Sequence, residues 1–138
     1  MSHNIVLTGV RYDDLRLLGE VVKDLSQGQA KLMRNQKTFR TYPGQPTDCE
    51  HCITMPGRHD IGLKRNSEGS YDMIFDPYGM SNVFQAKGGA YVYGESAIGA
   101  IAQEYVLRAA EIRAAQQGYS TQRIPGKDGN VSLEIAVS

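Results

Sequence analysis

The chain has 138 residues, 41% of them hydrophobic and 22% charged, enough for one domain with a real core and too few apolar runs for a membrane span. Fifteen basic and fifteen acidic residues cancel to a formal charge of zero, so the basic excess typical of nucleic-acid binders is missing and no nucleic-acid partner is expected. Two cysteines make no disulfide framework, and the opening "MSHNIVLTGV" lacks the basic start and apolar stretch of a secretory signal; a cytoplasmic protein is expected.

In chain order, residues 4 to 10, "NIVLTGV", are β-rich and predict a first strand. In "YDDLRLLGEVVKDL" the residues Leu15, Leu18, Val22 and Leu25 recur at spacings of three and four, the single apolar stripe of a helix. Asp13 is the expected N-cap and Gly28 the stop. A weaker strand, "AKLMRN", follows, then a loop rich in Pro, Gly and Thr, "TFRTYPGQPTD".

Three strand candidates come next, "CEHCITM", "HDIGLKRN" and "YDMIFD", joined by the turn segments "PGR" and "SEGS" into an antiparallel meander. Residues 77 to 94, with aromatics among glycines and prolines, show no clean period and are expected to form a long loop holding a short strand or turn. A second helix is predicted from Ser96 to about Gln117, with Ile98, Ile101, Ala102, Tyr105, Ala109 and Ile112 on one face and Gly118 at its C-terminal cap. The tail "PGKDGN" is a hairpin turn signal before the alternating Val131, Leu133, Ile135 and Val137. The order β-α-β-β-β-α-β, closing in a hairpin, predicts a single α+β domain over residues 1 to 138. Its expected architecture is an antiparallel sheet with two helices on one face, ferredoxin-like in arrangement.

The chemical candidates are few. "DCEHC" places Cys49, His51 and Cys52 close together, the spacing of a metal or redox site. In a regular strand, though, successive side chains alternate, which would send Cys49 and Cys52 to opposite faces. No second ligand pair follows, since His3 and His59 are isolated, so a structural role is expected and no cofactor is assigned. Asp72 and Asp76 flank "YDMIFD" on one strand face, a pairing that serves acid–base or metal chemistry but is far commoner as solvated carboxylates. The glycines of "GGAYVYGES" precede the second helix but lack the ending of a phosphate loop.

Eight tyrosines are the less ordinary feature. Tyr42, Tyr71, Tyr78, Tyr91 and Tyr93 fall in or near loops and the meander, with Arg34, Lys37 and Arg40 nearby, a composition suited to a partner surface or to plugging the sheet ends. The expected contact surface comprises Arg34, Arg40, Tyr42, Gln45, Tyr78, Tyr91 and Tyr93. An anion or nucleotide site built on Arg34, Arg40, Lys87 and the start of the second helix is the alternative.

Several segments together carry a family resemblance. These are "MSH" leading to Thr8, the helix "YDDLRLLGEVVKDL", "RTYPGQ" with Arg40, Tyr42, Gly44 and Gln45, "HDIGLKRN" with Asp60, Ile61 and Gly62, "YDMIFD", and the tail from "QQGYSTQRIPG" onward. In this order they resemble the hypothetical chloroplast reading-frame proteins of algal plastids and cyanobacteria, with phage relatives, catalogued as domain of unknown function twelve-fifty-seven. The chain departs from that pattern in lacking tryptophan, in the glycine-rich stretch near residues 86 to 94, and in "CEHC", where the family has an ordinary apolar strand. The resemblance implies no established catalysis. It implies a small cytoplasmic accessory protein whose "RTYPGQ" loop and "HDIG" strand share a surface. Its partner would be a protein, with an AAA-class ATPase the candidate, or a second copy of the chain.

Overall fold

A computed structural model describes residues 5–86, 89–126 and 131–137. The elements are β1 (Ile5–Tyr12), α1 (Leu15–Leu25), β2 (Lys31–Met33), β3 (His51–Thr54), β4 (Ile61–Arg65), β5 (Tyr71–Phe75), α2 (Glu95–Gln116), β6 (Ser120–Pro125) and β7 (Val131–Ala136). The α+β class is the one expected, and four strands lie between the two helices where the expected order had three. The strand order adds the detail that β1 lies at one edge: the main sheet runs β1-β5-β4-β3-β2, with every pairing antiparallel. The end of the chain pairs β6 with β7 as a separate two-stranded ribbon, and residues 127 to 130 of the expected "PGKDGN" turn lie outside the described residues.

Alternation assigns the two sheet faces. Ile53, Ile61, Leu63, Met73 and Phe75 point to one side and join Leu17, Leu18, Val21, Val22, Ile98, Ile101 and Tyr105 of the helices in the main core. The other side carries the row Cys52–Gly62–Ile74, which packs with Phe39 and Cys49 in a second, smaller cluster. Gly62 is required there. A Cβ at this position would stand 2.5 Å from two atoms of the Phe39 ring.

Asp14, rather than Asp13, caps α1, its carboxylate accepting the Leu17 N–H at 3.1 Å. The Asp13 side chain instead accepts the Tyr105 hydroxyl at 3.1 Å, while that hydroxyl accepts the N–H groups of Asp13 (3.1 Å) and Asp14 (2.9 Å). A tyrosine of α2 thus satisfies amides at the start of α1, a contact across more than ninety positions that no local pattern encodes. Tyr105→Phe is expected to leave the Asp14 N–H without its acceptor, the Asp13 N–H keeping the Arg11 carbonyl at 3.1 Å, and to cost about 1 kcal/mol, measurable by urea denaturation.

The predicted face of α2 holds for Ile98, Ile101 and Tyr105 but not for Ile112, which is 46% exposed. Leu107 and Ala114 are buried instead, off the stripe formed by Ile98, Ile101 and Tyr105. On α2 Glu104 and Glu111 both receive Arg123 of β6, at 2.8 and 2.6 Å, and Arg108 links Glu104 to Asp24 of α1. The helix is apolar on more than one side because it serves both the core and the ribbon.

Candidate functional site at one end of the sheet

Three connections meet beyond the C-terminal ends of β3 and β5 and the N-terminal end of β4. They are the loop around residues 40–45, the turn 55–60, and the segment 76–81. The first is shaped by "YPGQ": Pro43 presets the turn, Gly44 takes φ +90°, and the Gln45 N–H returns to the Tyr42 carbonyl at 3.2 Å. That pattern is a type II turn, which holds Tyr42 out into solvent.

Arg40 fastens this loop to the sheet. Its Nε and Nη2 donate to the two carboxylate oxygens of Asp60 at 3.0 and 2.7 Å, Nη1 donates to the Gly57 carbonyl at 2.6 Å, and Nη2 also reaches the Met55 carbonyl at 2.7 Å. Asp60 is only 1% exposed and further accepts the backbone N–H groups of Arg40 and Met55, while its own N–H donates to the Arg40 carbonyl. Burial pushes the Asp60 carboxyl up, but the Arg40 guanidinium and the two backbone amides outweigh it and hold the group below the usual carboxylate range. Arg40 itself remains half exposed.

Beside this clasp lies a second pair. The Asp76 carboxylate is fully buried; Oδ1 accepts the Tyr78 N–H at 2.9 Å, and Oδ2 lies 3.9 Å from His59 Nδ1, too far for a direct hydrogen bond. Neither His59 Nδ1 nor Asp76 Oδ2 has a hydrogen-bond partner among the described residues. The His59 ring lies against Gly79, where a Cβ would come within 2.5 Å of it, and its centroid is 6.4 Å from that of Tyr42. The Ser81 hydroxyl donates to the Pro56 carbonyl and ties the segment after β5 to the turn before β4. Pro77 in turn lies against Gly94, next to Tyr93, at 3.1 Å from where a Cβ would stand.

The predicted residues therefore separate. Arg40, Tyr42 and Gln45 share one loop, and the path Tyr42–His59–Gly79 continues through Tyr78 and Pro77 to Gly94 and Tyr93, a continuous rim. Tyr42, Tyr78 and Tyr93 are 45%, 78% and 60% exposed along it. Tyr91 is exposed and lies opposite Gln85 in an isolated bridge, further along the same connection. Arg34 is not part of the rim: it follows β2 and lies near His51, at the other end of β3. Lys87 is outside the described residues. Asp72 and Asp76 do not form a pair, because Asp72 sits at the start of β5 bonded to Asn66 and Asp76 follows its end.

The cysteines require a correction. Regular strand geometry begins only at His51, with a bend at Glu50, so alternation does not reach back to Cys49. Cys49 and Cys52 consequently share the small cluster under Phe39 rather than opposite faces. Both are free and buried; burial, with Asp60 and Cys49 adding, pushes the Cys52 thiol up to about 12, and burial raises Cys49 as well. Such thiols are poor nucleophiles and poor metal ligands at neutral pH. Among the described residues no group of three or more His, Cys, Asp or Glu is arranged to hold a metal ion.

Asp60 entered the sequence reading only through the family resemblance, as part of "HDIG", His59 there and as an isolated histidine, and Asp76 as a companion of Asp72. The burial of both carboxylates was not expected, because a charged residue beside an apolar strand reads the same whether buried or exposed.

Among the described residues no helix is long and apolar enough to cross a membrane. No curated protein and no solved structure matched the chain. The model of a family described as "Protein of unknown function (DUF1257)" matches residues 22–133, and the chain belongs to that family.

Proposed function

We propose that this protein is a non-enzymatic binding module that works through a protein partner or a second copy of itself, using the tyrosine rim as its contact surface. One observation carries this reading: Tyr42 and Tyr78 lie exposed on loops held by the Arg40–Asp60 clasp and the packing of His59 on Gly79, and exposed Tyr93 adjoins Gly94, whose backbone lies against Pro77. Large amphipathic rings on a fixed backbone contribute contact area with little conformational entropy to lose on docking. A cytoplasmic setting belongs to the same proposal, supported by two cysteines that remain free. The family resemblance adds an AAA-class ATPase as a candidate partner.

The alternative, an anion site on Arg40, has less support, because Nε, Nη1 and Nη2 are all engaged within the protein and Asp60 offsets the charge. A nucleotide thermal-shift screen separates the two. A flat screen is expected, whereas a shift of several degrees that disappears in Arg40→Lys would favour the anion reading.

The test of the main proposal compares the wild type with a Tyr42→Ser, Tyr78→Ser, Tyr93→Ser triple variant. All three side chains are solvent-facing, so the variant should fold with a melting temperature close to the parent's. The expected result is loss of the co-purifying protein, or of the self-associated species in native mass spectrometry. Retention of the same complex by the variant, or a monomeric wild type that recovers no partner, overturns the proposal.

A further inference from the structure

His51 opens β3 with its ring almost wholly buried. Nδ1 accepts the Asn35 N–H at 2.8 Å, so this nitrogen carries no proton, and Nε2, 3.2 Å from the Tyr71 hydroxyl, holds the ring's hydrogen. The Tyr71 ring meets the imidazole edge-on at 5.1 Å. Asn35 is held at φ +63°, a conformation that few residues other than glycine adopt, and the His51 bond is what its amide meets there.

The chain beyond Asn35 covers the cysteine cluster. The Gln36 carbonyl accepts the Cys49 thiol at 3.2 Å, the Lys37 carbonyl accepts the Cys49 N–H at 2.9 Å, and Phe39 donates its N–H to Thr47 at 3.0 Å. The Phe39 ring then closes over Gly62 and Cys52. Residues 35–39 form a strap over the second face of the sheet, and its first attachment is the imidazole of His51.

We infer that His51 is a proton-sensitive pin for this strap, which holds it closed over Cys49 and Cys52 when the ring is neutral and loosens it when the ring gains a proton. Protonation converts Nδ1 from acceptor to donor, aimed at the Asn35 N–H, which is also a donor. The groups facing the ring reinforce this. Lys37 and Arg34 of the strap side are cationic, the Tyr71 hydroxyl of β5 faces Nε2, Leu63 opposite on β4 is apolar, and Glu50, just before β3, is the one anion acting on the ring among the described residues. Burial first, then Lys37 and Arg34, hold the His51 value below that of a free imidazole against the smaller opposing pull of Glu50. A group lowered in the folded state contributes its stabilisation in full above the unfolded histidine value. That contribution is lost as the pH falls through the folded one.

The test is nitrogen-resolved NMR of the full chain from about pH 8 to about pH 5, following the His51 ring and the Asn35 amide together. As the ring protonates, the hydrogen-exchange protection of Asn35, corrected for intrinsic chemistry, is expected to fall by about tenfold, the effect of one lost bond to a buried partner. His51→Asn places a carbonyl oxygen near the Nδ1 position but does not titrate, and should keep the protection flat. Protection that stays constant in the wild type while the ring titrates, or that falls equally in the variant, overturns the inference. Should that variant not fold, the wild type decides alone: a shared midpoint for ring and amide supports the pin, and separate midpoints contradict it.

Discussion

Arg40→Ala is expected to destabilise the protein by about 3 kcal/mol, at the lower end for breaking a buried ion pair because Arg40 keeps half of its side chain in solvent. The loss comes from Asp60, left as a buried carboxylate that accepts the Arg40 and Met55 amides but has lost the guanidinium that offsets its charge. Asp60 is held below its ordinary range in the wild type, so its contribution is present above the unfolded carboxylate value and vanishes as the pH falls through the folded one. Urea denaturation of both proteins over a pH series should therefore show a wide gap at neutral pH that closes in acid. A gap independent of pH would mean that Arg40 acts by packing alone. Arg40→Lys should recover little, since a single ammonium cannot span both carboxylate oxygens and the two carbonyls.

The second large effect lies on the opposite face. Gly62→Val should cost about 3 kcal/mol, because its Cβ and methyl groups enter the volume of the buried Phe39 ring in the middle of the sheet. The ring must leave, and Cys52 loses its cover. Two readouts are expected to move together, a lower denaturation midpoint and alkylation of Cys52 under native conditions, where the wild type is protected. A destabilised variant whose thiols remain unreactive would show that something other than Phe39 shields them.

These two sites mark the reach of sequence reasoning in this protein. The helices and the meander were legible because apolar periodicity and turn residues report directly on local backbone: α1, the strands β4 and β5 and the Gly118 cap stand where the pattern put them. The buried side of α1, however, is Leu17, Leu18, Val21 and Val22, with Leu15 and Leu25 only partly buried, and β3 begins at His51 rather than Cys49. Asp13 and Asp14 are adjacent and equally suited to capping, and only the Tyr105 hydroxyl from α2 separates their roles. Cys49 and Cys52 were assigned opposite faces on the premise of a regular strand, which a bend at Glu50 interrupts. The exposed tyrosines could be picked out by composition. What supports them could not, since Arg40 and Asp60 are twenty positions apart and Asp60 reads in sequence like any solvated acid.

The central claim is that the rim formed by Tyr42, Tyr78 and Tyr93 is the surface through which this protein binds. Hydroxyl-radical footprinting, comparing the free chain with the complex isolated from its native cells, tests it most directly. Oxidation of these three tyrosines should fall sharply in the complex, while Tyr12 and Tyr105, buried in the core, stay equally protected in both. Protection that maps to the β6–β7 ribbon or to the exposed face of α2, with the rim still oxidised at the free-chain rate, would contradict it.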